Sequence, residues 1–555
     1  GCTEQTLNRF IPTVITQRIL QGMGLDLAVI QEKRTNLNAQ QIGDDRERAE
    51  QWKMYDRNPV FDEAEVTAMV EQGVKDLTAM QNSDGGWGWF SGFGEHSYPH
   101  TTAVVVHGLQ LAQENDIAIV DGVVERGVAW LKDYQAKQVE LLQEGLRHED
   151  DPKRKQPYKN TCSDLDAMVF SVLVDSEIVN QEMQRFLYRD RLKVSLLSQT
   201  LIGLALHEVG AIDECDMVIR NIDQFIKVDD ENQTAFLDLP NNGAWWFWYG
   251  NTIEANAHYL KLLTRVNPQD EKASGLVKYI LNNRTHGGYW QSTRATAYCI
   301  EALAEYLQAS GEAEPNMLVE IHLDGELKQS VEITPEVLFS YDNSFVIDGP
   351  ALSAGNHKLE IVRKPLNAQP SALSPLYHNL YVTNFTMEEM ITAAGLEIKV
   401  GRKYYKLVQD KEAQVSVAGG EGQSVGQKVL KYDREEIDNL GVLASGDLVE
   451  IELEIDSKND YEYVVFEDLK AAGFEPVTLQ SGYTRGGLGA YVEFRDEKVA
   501  FFLRELRRGK HSVSYRVRAE ISGKFSALPT KAEAMYAPEL RANSDEIKVQ
   551  VVDRE

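Results

Sequence analysis

Apolar positions recur at three- and four-residue spacings from residue 1 to about residue 312, the period of helices that bury one face. Leu7, Phe10, Ile11 and Val14 form such a face at the start, where Pro12 is expected to restart the helix as its first residue. Further on, HTTAVVVHGLQLA (100–112), CSDLDAMVFSVLV (162–174), NTIEANAHYLKLL (251–263) and STRATAYCIEALAEYL (292–307) share a theme of Thr or Ser, then Ala, then Leu or Val. Aromatic and Gly-rich stretches precede three of them: GGWGWFSGFGEHSYP, NNGAWWFWYG and HGGYWQ. A loose repeat of this kind predicts stacked helical hairpins that become buried only through their neighbours. A closed α/α toroid fits it best.

The period shortens to two after Glu314-Pro315. VEIHLDGEL (319–327) alternates Val319, Ile321 and Leu323 with polar residues and then turns at Asp324-Gly325, a hairpin signal. KLEIVRK carries the strand theme to Pro365, and PLNAQPSALSP (365–375) reads as a linker. In LVEIELEID (448–456), Val449, Ile451, Leu453 and Ile455 share a face; in SVSYRVRAEI (512–521), Val513, Tyr515, Val517, Ala519 and Ile521 do. The fold class expected is multidomain α plus β: a helical domain at 1–312, a small β segment at 313–374 and a sandwich-like β domain at 375–555.

The bulk properties narrow the function. A chain of 555 residues is long enough for several cores, and no run resembles a transmembrane helix. With a net charge of −29 and a pI near 4.9, it lacks the basic footprint of a nucleic-acid binder. The chain does not begin with Met and shows no signal peptide, so we expect the C-terminal piece of a longer protein whose targeting signal lies elsewhere. Cys162, Cys215 and Cys299 lie far apart, without CxxC pairs, and read as small core residues.

Most candidate motifs favour architecture over chemistry. QNSDGGWGW (81–89) contains the Q-x-x-D-G-G-W pattern of terpenoid cyclases and other toroid proteins, in which glycines permit a tight turn and Trp plugs the barrel end. A cyclase also needs an acid run, and Asp164 and Asp166, two apart on a helix, point away from each other. GQSVG (422–426) has the spacing of a nucleophile elbow around Ser424 but no helix after it. His96, His100 and His107 read as turn and packing residues, His148 as a solvated linker residue, and the aromatic run at 244–249 as helix-end packing. No metal site and no cofactor are expected.

The opening GCTEQ is different. A turn entering a helix brings Cys2 and Gln5 together, and a thiol at a helix N-terminus is more nucleophilic. Attack on the Gln5 side-chain amide would expel ammonia and leave an internal thioester, a stored acyl donor that is quiet while dry. Taken alone, the same five residues are equally a capped helix with a buried Cys.

GCTEQ resembles the Gly-Cys-x-Glu-Gln thioester motif of the alpha-2-macroglobulin and complement family, most closely its bacterial branch. The order of domains and the tail from Arg495 to AMYAPE (534–539) are similar as well. The resemblance implies that Cys2 and Gln5 are the thioester partners and Glu4 the intervening acid. It implies that 1–312 is the toroid, 313–374 a CUB-like segment and 375–555 a macroglobulin-like sandwich. It also implies a broad-spectrum endopeptidase inhibitor of the periplasm or cell envelope, which captures target proteases covalently through lysine amines or hydroxyls. Amines are the default, because no motif fixes an acyl-transferring histidine. Such a protein acts once and is not a turnover enzyme. The bait and upstream domains are absent from this chain, and membrane contact is expected only through an N-terminal lipid anchor outside it. Met535 and Tyr536 are the candidates for shielding the thioester from water. The rivals are a non-covalent envelope scaffold with the same fold and a cyclase-like toroid enzyme.

Overall fold

Two kinds of helix build the first part of the chain, and their apolar patterns separate them. In a computed structural model, residues 2–22, 60, 62–90, 94–147, 157–239, 251–284, 290, 292–312, 314–338, 340–347, 349, 352, 355–366, 374–382, 390–410, 415–416, 428–429, 431–478, 480–484, 488–535 and 537–554 are described. Contacts divide the chain into two units, Gly1–His378 and Asn379–Glu555.

Helices of the first kind form the inner run: α1 (Thr3–Gly22), α3 (Pro99–Glu114), α5 (Asp164–Asp175), α7 (Leu196–Glu208), α9 (Thr252–Val266) and α11 (Thr293–Ser310). Of these, α3, α5, α7 and α9 are buried nearly all round, and α1 and α11 over a broad face. In α5 every side chain from Asp166 to Val174 is buried, and in α9 every one from Ile253 to Thr264. Helices of the second kind are α2 (Glu63–Met80), α4 (Val123–Arg147), α6 (Gln181–Asp190), α8 (Ile212–Asp223) and α10 (Glu271–Asn282). Each of these buries one stripe, such as Cys215, Val218 and Ile222 of α8, and leaves the rest to water. Packing follows this division. α1 touches α3, α3 touches α5, and the series runs through α7 and α9 to α11, which returns to α1. The striped helices lie against members of that run: α2 on α1, α4 on α3 and α5, α8 on α7, and α10 on α9.

Two expectations are corrected here. Pro12 does not restart a helix but lies inside α1. A proline there removes one backbone hydrogen bond, and the buried face of Leu7, Phe10, Ile11, Val14 and Ile15 holds the helix together across the gap. The region also contains a hairpin, β1 (Ile226–Asp229) with β2 (Thr234–Leu237), whose four-residue strands are too short to show a period. β2 lies on α10 at Gly275, where a Cβ would sit 2.9 Å from that of Ala235.

β3 (Met317–Leu323), β4 (Glu326–Ile333) and β5 (Leu359–Pro365) form an antiparallel sheet in the order β4-β3-β5. Asp324 and Gly325 both take positive φ, as the two-residue turn between β3 and β4 requires.

In the second unit, the strands are β6 (Ile398–Gln409), β7 (Val415–Ser416), β8 (Lys428–Val429), β9 (Tyr432–Glu436), β10 (Gly441–Ala444), β11 (Leu448–Ser457) and β12 (Tyr461–Leu469). They continue with β13 (Phe474–Pro476), β14 (Gly482–Tyr483), β15 (Tyr491–Phe494), β16 (Lys498–Leu506), β17 (Gly509–Ala519), β18 (Gly523–Ala527), β19 (Lys531–Ala534), β20 (Ala537–Asn543) and β21 (Ile547–Val552). One sheet has the order β13-β17-β11-β6-β9, another β14-β15-β16-β12-β19-β20, and a third β10-β21-β18. The inward faces of β11 and β17 meet those of β12 and β16 in one apolar core. Ile521 departs from expectation: β17 ends at Ala519, and Ile521 is 58% exposed beyond it.

Buried polar groups tie the first two sheets together. The Arg402 guanidinium reaches Asp468 at 2.7 Å, and Asp468 also accepts from Tyr515 at 2.6 Å and Thr530 at 2.7 Å. Arg402 also donates from its two terminal nitrogens to the carbonyls of Ala527 and Leu528, while its buried Nε has no hydrogen-bond partner among the described residues.

Candidate functional site

Cys2 stands immediately before α1 and accepts a hydrogen bond at its Sγ from the backbone N–H of Gln5, at 3.5 Å. The Cys2 carbonyl accepts from Thr6 N at 3.0 Å, the first bond of the helix. Side chains of Asp62, Asn180, Asn251, Asp270 and Ser292 do the same work with oxygen at the starts of α2, α6, α9, α10 and α11. Cys2 is therefore an N-cap in which sulfur replaces oxygen. Cys2 and Gln5, three apart, share a face of the first turn, and Gln5 is exposed.

The rear of this turn is pinned. Thr3 is fully buried; its backbone N–H donates to the Trp89 carbonyl at 2.9 Å and its hydroxyl to the Gly88 carbonyl at 2.7 Å. Gly88 and Trp89 belong to the DGGWGW turn, so the chain's two most distinctive motifs meet. That turn is rigid in its own right. Asp84 accepts from Ser97, from Gly86 N and from the Trp130 ring N–H. Burial pushes the Asp84 carboxyl up, but those bonds outweigh it and hold the group below its ordinary range.

Trp87 is fully buried, with its ring N–H on the Leu77 carbonyl at 2.8 Å and its backbone N–H on the Thr102 hydroxyl. Trp290 repeats both bonds, to the Ile280 carbonyl at 2.8 Å and the Thr296 hydroxyl at 3.1 Å. The repeat read from the sequence is thus visible in hydrogen bonds. It anchors the starts of α3 and α11, the neighbours of α1 in the inner run. Glycines bring α1 close to its supports: a Cβ at Gly73 of α2 would sit 2.4 Å from the Phe10 ring, and one at Gly108 of α3 would sit 2.5 Å from Leu7.

Glu4 lies on the buried side of the turn. Its carboxylate is 3.8 Å from Arg294, whose Nε donates to Glu254 at 2.9 Å. Burial pushes the Glu4 carboxyl up, and Arg294 opposes that rise. His100, at the start of α3, stacks on Trp89; burial and Arg294 push it down to about 3, so its imidazole is neutral. His107 lies deeper, with Glu301 at 3.3 Å and Asp175 at 3.7 Å, beside a Lys261–Glu301 ion pair. Burial works against the charged imidazole, but Glu301 and Asp175 prevail and hold His107 up at about 9. His107 is a charged member of an ion-pair network, a role the sequence did not disclose. Nothing in the sequence flags Arg294 or Glu254 either, because they are ordinary first-turn residues of helices remote from Cys2.

Other candidates fall away from the chemistry. Asp164 accepts from the backbone N–H of Ser195, the N-cap of α7, at 2.8 Å, and Asp166 completes the capping box of α5 with Ser163 and pairs with Lys159. Cys162, Cys215 and Cys299 are buried free thiols, and burial pushes all three up, Cys215 to about 11. His96 is exposed near the DGGWGW turn. Met535 occupies the turn after β19 and is 41% exposed. Tyr536, Ser424, His148 and the aromatic run at 244–249 lie outside the described residues. Among the described residues, no cluster of His, Cys, Asp and Glu is placed to hold a metal, and no helix is long and apolar enough to cross a membrane.

Residues 398–539 match the family model described as the bacterial alpha-2-macroglobulin MG10 domain. An alpha-2-macroglobulin homolog of Nostoc sp. is 25% identical over 87% of this chain and 23% of its own length. An alpha-2-macroglobulin of Thermotoga maritima is 23% identical over 55% of this chain and 14% of its own. The chain thus spans about a quarter or less of the length of these relatives. The trypsin-activated alpha-2-macroglobulin of Escherichia coli, a solved structure, is 18% identical with a TM-score of 0.44, covering 99% of this chain and 32% of that one.

Proposed function

We infer that this chain is the C-terminal part of a bacterial alpha-2-macroglobulin, and we propose that it carries the covalent arm of a protease trap, an internal thioester between Cys2 and Gln5. The observation that carries this reading is the first turn of α1, with the Cys2 sulfur 3.5 Å from the Gln5 backbone nitrogen on a face whose rear is fixed by Thr3. The Cys2 sulfur would bond the Gln5 side-chain carbonyl carbon as the C–N bond breaks, the thiol proton leaving with ammonia. Later, a lysine amine or hydroxyl of a bound protease would attack the same carbon. The C–S bond then breaks, the protease is acylated, and Cys2 regains a proton as a free thiol. One turn exhausts the donor, so the protein inhibits rather than turns over.

The cyclic run of contacts among α1, α3, α5, α7, α9 and α11 supports reading 1–312 as an α/α toroid. On that reading 313–374 is the CUB-like segment and 375–555 the macroglobulin-like sandwich. Triggering by cleavage of a bait segment, and residence in the periplasm or cell envelope, belong to the longer protein. Met535 and Tyr536 are assigned to shielding the thioester; their joint replacement by Ala should speed spontaneous thiol release, and an unchanged rate would remove them from that role. The cyclase reading is weakened, because Asp164 is bonded to the backbone of Ser195 and Asp166 is occupied in the capping box of α5.

The decisive experiment treats the intact protein with methylamine. We expect Cys2 to become newly titratable and Gln5 to carry the methylamide. If no thiol is released, the non-covalent scaffold is the correct reading.

A further inference from the structure

Around a helical turn, successive side chains step by a little over a quarter of a circle, so Cys2 and Gln5 share the front while Thr3 and Glu4 share the rear. The rear has two attachments of different kinds. Thr3 is bonded to the DGGWGW turn, whereas Glu4 faces Arg294 from α11, which is held by Glu254 from α9. Arg294 is itself only 12% exposed and Glu254 only 1%. A guanidinium is a planar fork, so a partner that fixes its Nε also fixes where its remaining N–H groups point. Glu254 accepts that Nε, and Asn251 donates to Glu254 at 3.3 Å, which settles the carboxylate in turn.

We propose that Arg294 is the positioning residue of the reactive turn: anchored by Glu254, it clamps Glu4 and so fixes the rotation of α1 that makes Cys2 and Gln5 face each other. The proposal rests on the thioester reading and deepens it. Arg294 touches neither Cys2 nor Gln5 in this arrangement; it acts through Glu4. Among the described residues, the groups facing Glu4 are Arg294 and Tyr298 from α11 and Glu254 from α9; His100 from α3 feels the same Arg294, and Glu63 of α2 bonds Gln21 at the far end of α1. Arg294 is the cation among them. Removing it leaves Glu4 buried beside another carboxylate, which favours the protonated form.

The test compares Arg294→Gln and Arg294→Lys in the intact protein, following Cys2 thiol release with and without methylamine across pH. A small misplacement of reacting groups costs up to about 10²-fold in rate. Arg294→Gln should therefore lower the fraction of molecules holding a thioester, speed spontaneous release by roughly ten- to a hundredfold, and move the pH midpoint of release upward. Arg294→Lys keeps the charge without the fork, so it should restore the pH midpoint but only part of the lifetime. If Arg294→Gln folds as wild type and releases its thiol at the wild-type rate and midpoint, the proposal is overturned. If that variant does not fold, Glu254→Gln removes the anchor alone. It should shorten the lifetime and, by removing the carboxylate beside Glu4, move the midpoint downward rather than upward; an unchanged lifetime overturns the proposal equally. A wild-type protein that releases no thiol with methylamine overturns the thioester reading itself, an outcome separate from any behaviour of the variants.

Discussion

Thr3 donates its hydroxyl to the carbonyl oxygen of Gly88 at 2.7 Å, joining two segments 85 positions apart in the chain. Thr3→Val keeps the shape of the side chain but leaves that buried carbonyl short of a donor, at a cost of about 1–3 kcal/mol. We expect a lower melting temperature and a smaller fraction of protein with a methylamine-releasable Cys2. Thr3→Ser should recover both; equal losses in Ser and Val would show that shape, not the bond, matters.

Gly108 sits under Leu7, where an added Cβ would lie 2.5 and 2.7 Å from the two Leu7 methyls. Gly108→Ala should push α1 away from α3 and destabilise the helical unit by roughly 1–3 kcal/mol. Urea denaturation followed by tryptophan fluorescence reads this out. Pairing the change with Leu7→Ala should return part of the loss, because the smaller side chain vacates the contested volume.

His107 makes stability depend on pH in a definite direction. An unfolded imidazole titrates near ~6.5, and in the fold Glu301 and Asp175 hold His107 up at about 9. A raised histidine stabilises fully below the unfolded value, and the contribution is lost as pH rises through the folded one. The gap corresponds to on the order of 3 kcal/mol. Denaturation midpoints of wild type should therefore fall between about pH 6.5 and about pH 9, and His107→Gln should flatten that slope.

Arg402 and Asp468 are 1% and 0% exposed, and they sit on strands of different sheets, β6 and β12. Asp468→Asn leaves the guanidinium without its counter-charge and should cost about 3–5 kcal/mol. Chemical denaturation monitored on the second unit checks this, and a loss below about 1 kcal/mol would place the charge in water rather than in the core.

Periodicity made the helices and strands readable because burial on one side leaves a trace at every third, fourth or second position. Val449, Ile451, Leu453 and Ile455 show this plainly, each at most 1% exposed in β11. The trace fails where a feature is short or where packing overrides local preference, as in the β1–β2 hairpin and at Pro12. GCTEQ pointed to the proposed reactive pair because both residues are close in sequence. Arg294 and Glu254 were invisible for the opposite reason. They reach Glu4 only after α11, with α9 packed on it, folds back beside α1, and arginine or glutamate in the first turn of a helix is unremarkable. The meaning of DGGWGW was half legible: its glycines signalled a tight turn, but not that the carbonyls of Gly88 and Trp89 would be spent on Thr3.

The matched bonds of Trp87 and Trp290 have a further consequence. Each stakes a helix beside α1, and neither involves Cys2 or Gln5. The scaffold is therefore anchored independently of the first turn it flanks, and exchanging Cys2 for serine would put oxygen for sulfur at the N-cap without changing the surrounding shape. In this architecture, the proposed thioester could be lost or regained through one codon while the surrounding protein stays as it was.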